Sequence, residues 1–514
     1  MLREAAQLGP SETLDPQDWA DIRALGHRML DDMIDYVATI RERPVWQPIP
    51  DVVRAQFREE LPRHANELGD VYRTFADFIA PYATGNVHPG FMGWVHGGGS
   101  AVGMLAEMLA AGLNANLGGR DHVPIEVERQ VVDWVRQMFG FPAGASGLFV
   151  TGTSMANLMA VLVARTCALG KSARQHGIGD QGALLTAYTS KAAHGCITKA
   201  MDIAGFGSDA LRCIAIDTSH RIDIDELREQ IARDRAAGLK PFLVVASAGT
   251  VDIGAIDDLD SVAALCHEEQ IWFHVDGAFG ALGVLSPELA PRLAGIEQAD
   301  SIALDFHKWG QVPYDAGFLL VRDGECHRGT FAAPAAYLRR ETRGLAAGSE
   351  WPCDLGPDLS RGFRALKTWF TLKTYGTDRL GAIIARSCAL AAYLEARVRA
   401  EPRLELLAPV NLNIVCFRYR ADDADRVNRE IVVNLQESGI AAPSTTMLDG
   451  RLAIRAAIVN HRTDRCDIDA LVASVLEFGA RRAASGADLT FATQRATNSQ
   501  SERQIQSSTR INNF

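Results

Sequence analysis

The segment Asp300–Phe318, DSIALDFHKWGQVPYDAGF, runs from an apolar stretch into His307, Lys308 and Trp309. A lysine at the end of a buried strand loses hydration, and this lowers its pKa toward the free amine that a Schiff base requires. A lysine that only snorkels out of a strand end would look the same in isolation. Upstream, the run IWFHV at 271–275 leads straight into Asp276, followed by the small residues Gly277 and Ala278. A carboxylate at the C-terminal end of a parallel strand lies where α/β sheets bind ligands. Placed on a pyridine nitrogen, it makes the ring of pyridoxal 5'-phosphate (PLP) an electron sink. Asp276 alone could equally be a helix cap; with Lys308 two elements further on, the PLP reading is favoured.

Two further segments suit the same cofactor. In FVTGTSMANLMAVLVAR (149–165), Gly152, Thr153 and Ser154 separate a strand from an apolar helix. Free N–H groups and hydroxyls at a helix N-terminus suit a phosphate dianion, although Ser and Thr are also ordinary caps. His194, in YTSKAAHGCITKA, follows a strand and could stack a flat imidazole on a cofactor ring or lie in a surface loop.

Positioning these groups requires a sheet that brings several strand ends together. Short apolar runs alternate with helical stretches at 148–150, 183–188, 211–216, 242–247, 271–275, 301–305 and 317–321. This pattern predicts an α/β unit with a mostly parallel central sheet covered on both faces. An amphipathic helix is expected over 18–43, a second near 66–79, and a composition change near 85 marks a boundary. Helices at 362–375 and 380–400 and strands at 413–419 and 452–458 predict a smaller C-terminal α+β unit. The expected division is thus an N-terminal helical segment (1–85), a large cofactor-binding domain (86–375), a small domain (376–482) and a disordered tail (483–514), the last because polar residues cannot offset ordering entropy.

The 514 residues are 47% hydrophobic and 22% charged, as in an average globular protein, and the net charge of −11 offers no overall field for nucleic acid or anionic lipid. No membrane span, signal-peptide core or metal-ligand spacing is visible, so a cytoplasmic enzyme of a small molecule, without metal, is expected. The nine scattered cysteines predict reduced, buried thiols.

HPGFMGW (88–94), VERQVVDW (127–134), SAGTVDIGAIDDL (247–259), HVDGAFG (274–280) and DFHKWG (305–310), in this order, resemble the group II PLP-dependent decarboxylases, which include aromatic-L-amino-acid and glutamate decarboxylases. The resemblance extends over about residues 18–480. It implies PLP fold type I (aspartate-aminotransferase-like), a homodimer with active sites at the subunit interface, and an amino-acid substrate. By position, Lys308 matches the Schiff-base lysine (the internal aldimine), Asp276 the partner of the ring nitrogen, and His194 the stacked histidine. Thr153 and Ser154 match the phosphate loop, His307 a further cofactor contact, and Thr250 and Ala278 positions lining the ring. Trp94, His96 and Arg455 match the substrate side, Arg455 with a surface position as its alternative.

Two departures bear on the outcome. Family enzymes often carry a loop tyrosine that returns a proton to Cα, and counting from Tyr337 places Trp351 there, whose indole is no acid. Val87, Trp94, Val95, His96 and Gly97 also lack the bulky apolar wall expected for an aromatic substrate. The expectation is an L-amino-acid decarboxylase of unspecified substrate, with an aldehyde-forming decarboxylase–deaminase or an aminotransferase as the alternative.

Overall fold

A computed structural model describes residues 13–170, 172–333, 340–348 and 350–482. In chain order the strands are β1 (Phe91–Met92), β2 (Ser146–Val150), β3 (Leu185–Ser190), β4 (Leu211–Ile214), β5 (Lys240–Ser247), β6 (Trp272–Asp276), β7 (Ser301–Asp305), β8 (Gly317–Val321), β9 (Leu404–Leu406), β10 (Ile414–Tyr419), β11 (Ala442–Leu448) and β12 (Arg451–Ala457).

The large sheet has the order β2-β8-β7-β6-β5-β3-β4. The pairs among β3, β4, β5, β6 and β7 are parallel, and β8 alone runs against its neighbours. Helices on both faces explain why Val244, Val245 and Ala246 of β5 are all fully buried, although successive side chains point to opposite sides. The mostly parallel α/β architecture expected from the apolar runs is the one observed.

The smaller sheet, β1-β11-β12-β10-β9, is antiparallel except for β1, which pairs parallel with β11 through Phe91↔Ala442. This short strand, expected in the large unit, therefore belongs by hydrogen bonding to the small sheet. Strands β9 and β11 were also unexpected. β11 reads APSTTML and is exposed on alternate residues, so it lacks the apolar run that marks a buried strand. The helices expected at 362–375 and 380–400 form one element, Arg364–Ala400, broken at Gly376, whose φ of 73° glycine tolerates. The entry helix, Trp19–Ala38, has no buried residue.

One cysteine expectation is overturned. Cys167 and Cys326 are disulfide-bonded with Cα atoms 6.4 Å apart, joining helices Thr153–Leu169 and Gly324–Phe331. Their separation of 159 residues hides a pairing that only tertiary packing creates. The other seven cysteines are free. Among the described residues, no helix is long and apolar enough to cross a membrane. The tail from 483 and Tyr337 lie outside the described residues.

Candidate active site

β5, β6 and β7 end side by side at Ser247, Asp276 and Asp305. Their C-terminal ends floor a cleft of about 380 Å³ that contains Lys308, Asp276 and His194. Thr153, Ser154, Thr250, Ala278 and His307 line it too, as do Trp94, His96 and Arg455 on the side of the small sheet. Every residue expected from the sequence to contact cofactor or substrate therefore meets in one place, Trp351 of the loop excepted. Gly97 secures the approach of the 94–97 segment: its N–H donates to the His307 carbonyl at 3.1 Å, and a Cβ there would lie 2.4 Å from that oxygen.

The Lys308 amine lies 2.9 Å from Asp305 Oδ2. Asp305 is itself buried, and its Oδ1 accepts the Thr153 N–H at 2.7 Å, so one carboxylate joins the lysine to the start of helix Thr153–Leu169. The Thr153 hydroxyl is buried without a hydrogen-bond partner, and an unpaired buried hydroxyl is costly unless a ligand supplies one. Ser154 is exposed beside it.

Asp276 Oδ1 accepts the Ala278 N–H at 3.2 Å and Oδ2 accepts the Asn157 amide at 3.1 Å. Burial pushes its proton affinity up, against the opposing influence of Lys308 and of these donors. The exposed His194 ring accepts the Cys196 N–H at its Nδ1, 3.1 Å away, which fixes its orientation. Thr250 Oγ1 accepts the Ala255 N–H at 2.9 Å and holds the turn after β5. His307 accepts the Ala316 N–H at Nδ1, 3.0 Å away, and burial pushes its pKa down to about 4, leaving a neutral ring.

Arg455 is buried, and its guanidinium donates to the carbonyls of Val251 at 2.6 Å and Gly93 at 2.8 Å. It clamps two segments of the cleft wall, and this excludes the surface-edge alternative. Among the lining residues that went unassigned from sequence are Asp305 and Tyr314. Tyr314 packs on His307 with ring centroids 4.2 Å apart and meets His96 edge-on at 5.7 Å. Desolvation and the nearby Asp305 raise its phenol pKa, so it keeps its proton. Its signal was present in GQVPYDAGF, where a tyrosine follows the lysine strap closely.

Trp351 is not in this cleft. The indole is 2% exposed, covers Gly119, donates to the Ala347 carbonyl at 3.2 Å, and lies against the guanidinium groups of Arg120 and Arg340 at 4.7 and 5.2 Å. The expectation that it occupies the loop acid's place is corrected: counting along a loop ignores which residues its folding buries. Trp351→Ala should therefore destabilise the protein by about 3–5 kcal/mol, and Trp351→Tyr should leave the product composition unchanged. Thermal unfolding and product analysis of both variants check this, and a changed product ratio in Trp351→Tyr would contradict it.

Buried imidazoles also set the acid limit of the fold. Burial chiefly lowers His274 to about 3 and His307, His327 and His461 to about 4. A lowered folded pKa gives stability that is complete above the unfolded value of about 6.5 and is lost as pH falls toward 4, at up to ~1.4 kcal/mol per pH unit and group. Asp257, raised by burial to about 6, and the raised Asp276 and Asp300 act oppositely, but they are fewer than the lowered imidazoles. The unfolding temperature should thus fall from pH 7 to pH 5. A flat or rising profile would contradict the burial of these rings.

An amine for an aldehyde, a buried carboxylate for a ring nitrogen, a flat imidazole and a helix N-terminus with an unpartnered hydroxyl together fit PLP. The model for the pyridoxal-dependent decarboxylase conserved domain matches residues 50–420, and the chain belongs to that family. It is 33% identical over 454 residues to an aromatic-L-amino-acid decarboxylase of Bacillus atrophaeus, covering 86% of this chain and 92% of the relative. A phenylacetaldehyde synthase of Arabidopsis thaliana is 29% identical over 470 residues, covering 88% and 94%. The crystal structure of Oryza sativa TDC with PLP and tryptamine superposes with a TM-score of 0.84 at 27% identity, covering 92% of this chain and all of that one. The protein is a PLP-dependent amino-acid decarboxylase of fold type I.

Proposed function

We propose that this decarboxylase acts on an aromatic L-amino acid and releases the amine, in the cleft around Lys308. The observation that carries the substrate class is the wall of that cleft. Trp94, His96, Tyr314 and His307 line it, and with Phe91 packed behind Trp94 and His96 they form a ladder of rings spaced 4.2 to 6.1 Å apart, ending beside Lys308. Among the described lining residues the cations are already engaged, Lys308 by Asp305 and Arg455 by backbone carbonyls, so an acidic side chain would meet no unpaired partner. The apolar wall that residues 87–97 lacked in sequence is completed by Tyr314. The relatives named for aromatic substrates support the same class.

Bound PLP supplies an electrophilic carbonyl carbon and a ring that draws electron density from Cα. Lys308 would hold that carbon through its amine, with Asp305 receiving the ammonium whenever the amine is released. Asp276 would face the ring nitrogen and keep it protonated, and His194 would lie flat on the ring. Thr153 and Ser154 would hold the phosphate, while His307, Thr250 and Ala278 border the cofactor. Trp94 and His96 would border the substrate side chain, which Arg455 serves by clamping the wall. Tyr314, protonated and facing the cleft, would return the proton to Cα. Exposed Leu105, Met108, Leu109 and Leu113 on helix Ala101–Leu113 support a homodimer.

The aldehyde-forming alternative is kept on one observation: an aldehyde synthase stands among the relatives. A panel of L-amino acids scored for CO2, amine, aldehyde and ammonia decides between them. Aromatic substrates yielding CO2 and amine one-to-one, with amine yield lost in Tyr314→Phe, are expected. Turnover of acidic amino acids alone, or stoichiometric aldehyde from the unaltered enzyme, would contradict the proposal.

A further inference from the structure

Behind Asp276 a line of polar side chains runs away from the cleft through the interior. Asn157, on the second turn of helix Thr153–Leu169, is fully buried between Asp276 and His274. Its Nδ2 lies 3.1 Å from Asp276 Oδ2 and 3.2 Å from Cys196 Sγ, and its Oδ1 lies 2.8 Å from His274 Nε2. On the far side of the imidazole, Nδ1 is 2.8 Å from Ser301 Oγ, and that oxygen is 2.9 Å from Trp272 Nε1. His274 and Ser301 are fully buried as well.

The two ends fix the direction of every hydrogen bond between them. Indole N–H only donates, and an ionised carboxylate only accepts. Trp272 must therefore donate to Ser301, and Asn157 must donate to an ionised Asp276 and turn its Oδ1 to His274 Nε2. With the ring proton drawn to Nε2, the Ser301 hydroxyl donates to Nδ1. Burial lowers the imidazole pKa to about 3, so the ring is neutral and carries its one proton on Nε2. That proton goes to Asn157 Oδ1, which turns the amide hydrogens toward Asp276. The other tautomer would send Nδ1–H to the Ser301 carbonyl at 3.1 Å and turn the Asn157 oxygen toward Asp276. That arrangement suits only a protonated carboxyl, so the chain and the charge on Asp276 are linked. Hydrogen bonds aligned in this way in a dry interior reinforce one another.

We propose that Asn157 and His274 are positioning residues that hold Asp276 as an oriented, ionised acceptor for the cofactor ring, as the last links of a one-way hydrogen-bond chain starting at Trp272. The inference rests on the reading that Asp276 faces the PLP ring nitrogen. His274→Phe fills the same space without either ring nitrogen, and His274→Gln returns an N–H toward Asn157. The holoenzyme variants are compared by PLP affinity in equilibrium dialysis, by the pH dependence of the visible cofactor band, and by kcat and KM separately. His274→Phe should bind PLP roughly 10- to 100-fold more weakly, shift the pH transition of the band, and lower kcat more than KM changes. His274→Gln should recover part of each effect. In an Asp276→Asn background, His274→Phe should add little, because the chain has lost the acceptor it serves.

Wild-type PLP affinity and band titration in both His274 variants, with Asp276→Asn still damaging, would overturn the chain's role alone. Full additivity of His274→Phe with Asp276→Asn would do the same. If Asp276→Asn itself behaves as wild type, the reading of Asp276 falls and the chain's role with it. Should His274→Phe fail to fold, Asn157→Ser replaces it and is held to the same expectations.

Discussion

Lys308→Ala is expected to give a folded, colourless protein that retains no visible cofactor band and loses more than about 10³-fold in turnover, a loss of ~4 kcal/mol in transition-state stabilisation. The fold should survive, because Lys308 is partly exposed to the cleft and, among the described residues, pairs only with Asp305. Removing the amine leaves Asp305 with the Thr153 N–H still donating to it at 2.7 Å, so the helix start stays anchored. Absorbance and CO2 release after incubation with PLP measure the effect. A variant that keeps the band would place the cofactor on another lysine.

Asp276→Asn is expected to bind PLP but to lose roughly 10²–10³-fold in kcat, the range found when one preorganised charge-stabilising group is removed. The amide nearly matches the carboxylate in shape, so packing against Ala278 and Asn157 changes little. What changes is charge: an amide cannot keep a pyridine nitrogen protonated, and its NH2 would confront the Asn157 amide hydrogens at 3.1 Å unless one of the two turned over. Weakened PLP binding should therefore accompany the slower turnover. Near-wild-type kcat would remove Asp276 from the electron-sink role.

The parts of the site that rest on strand ends were legible in the sequence. Asp276 closes an apolar run and Lys308 follows another just beyond Asp305, and parallel strands bring such positions together without further information. The helix start at Gly152-Thr153-Ser154 was legible for the same reason. What sequence left hidden depends on contacts between distant segments. Asp305 sits in the same quoted motif as Lys308, but its bonds to both the lysine and Thr153 appear only when β7 lies beside the start of helix Thr153–Leu169. Tyr314 enters the cleft because the strap after Lys308 folds back over His307. Trp351 leaves it because Gly119 offers a place without a side chain in which the indole can be buried. Arg455 lines the cleft, but its engagement with Val251 and Gly93 makes it a clamp and removes it as a free cation.

The small sheet shows the same limit in the fold. β10 and β12 carry apolar runs and were expected, whereas β11 alternates half-buried and exposed residues over most of its length and β1 is two residues long. Neither has enough apolar side chains to announce a strand before its partners are known.

The claim that Lys308 is the cofactor's anchor is tested most directly by reducing the holoenzyme with borohydride, digesting it and locating the pyridoxyl group by mass spectrometry. The account predicts one modified peptide, carrying the group on Lys308. Modification at any other lysine, with Lys308 unlabelled, would contradict it.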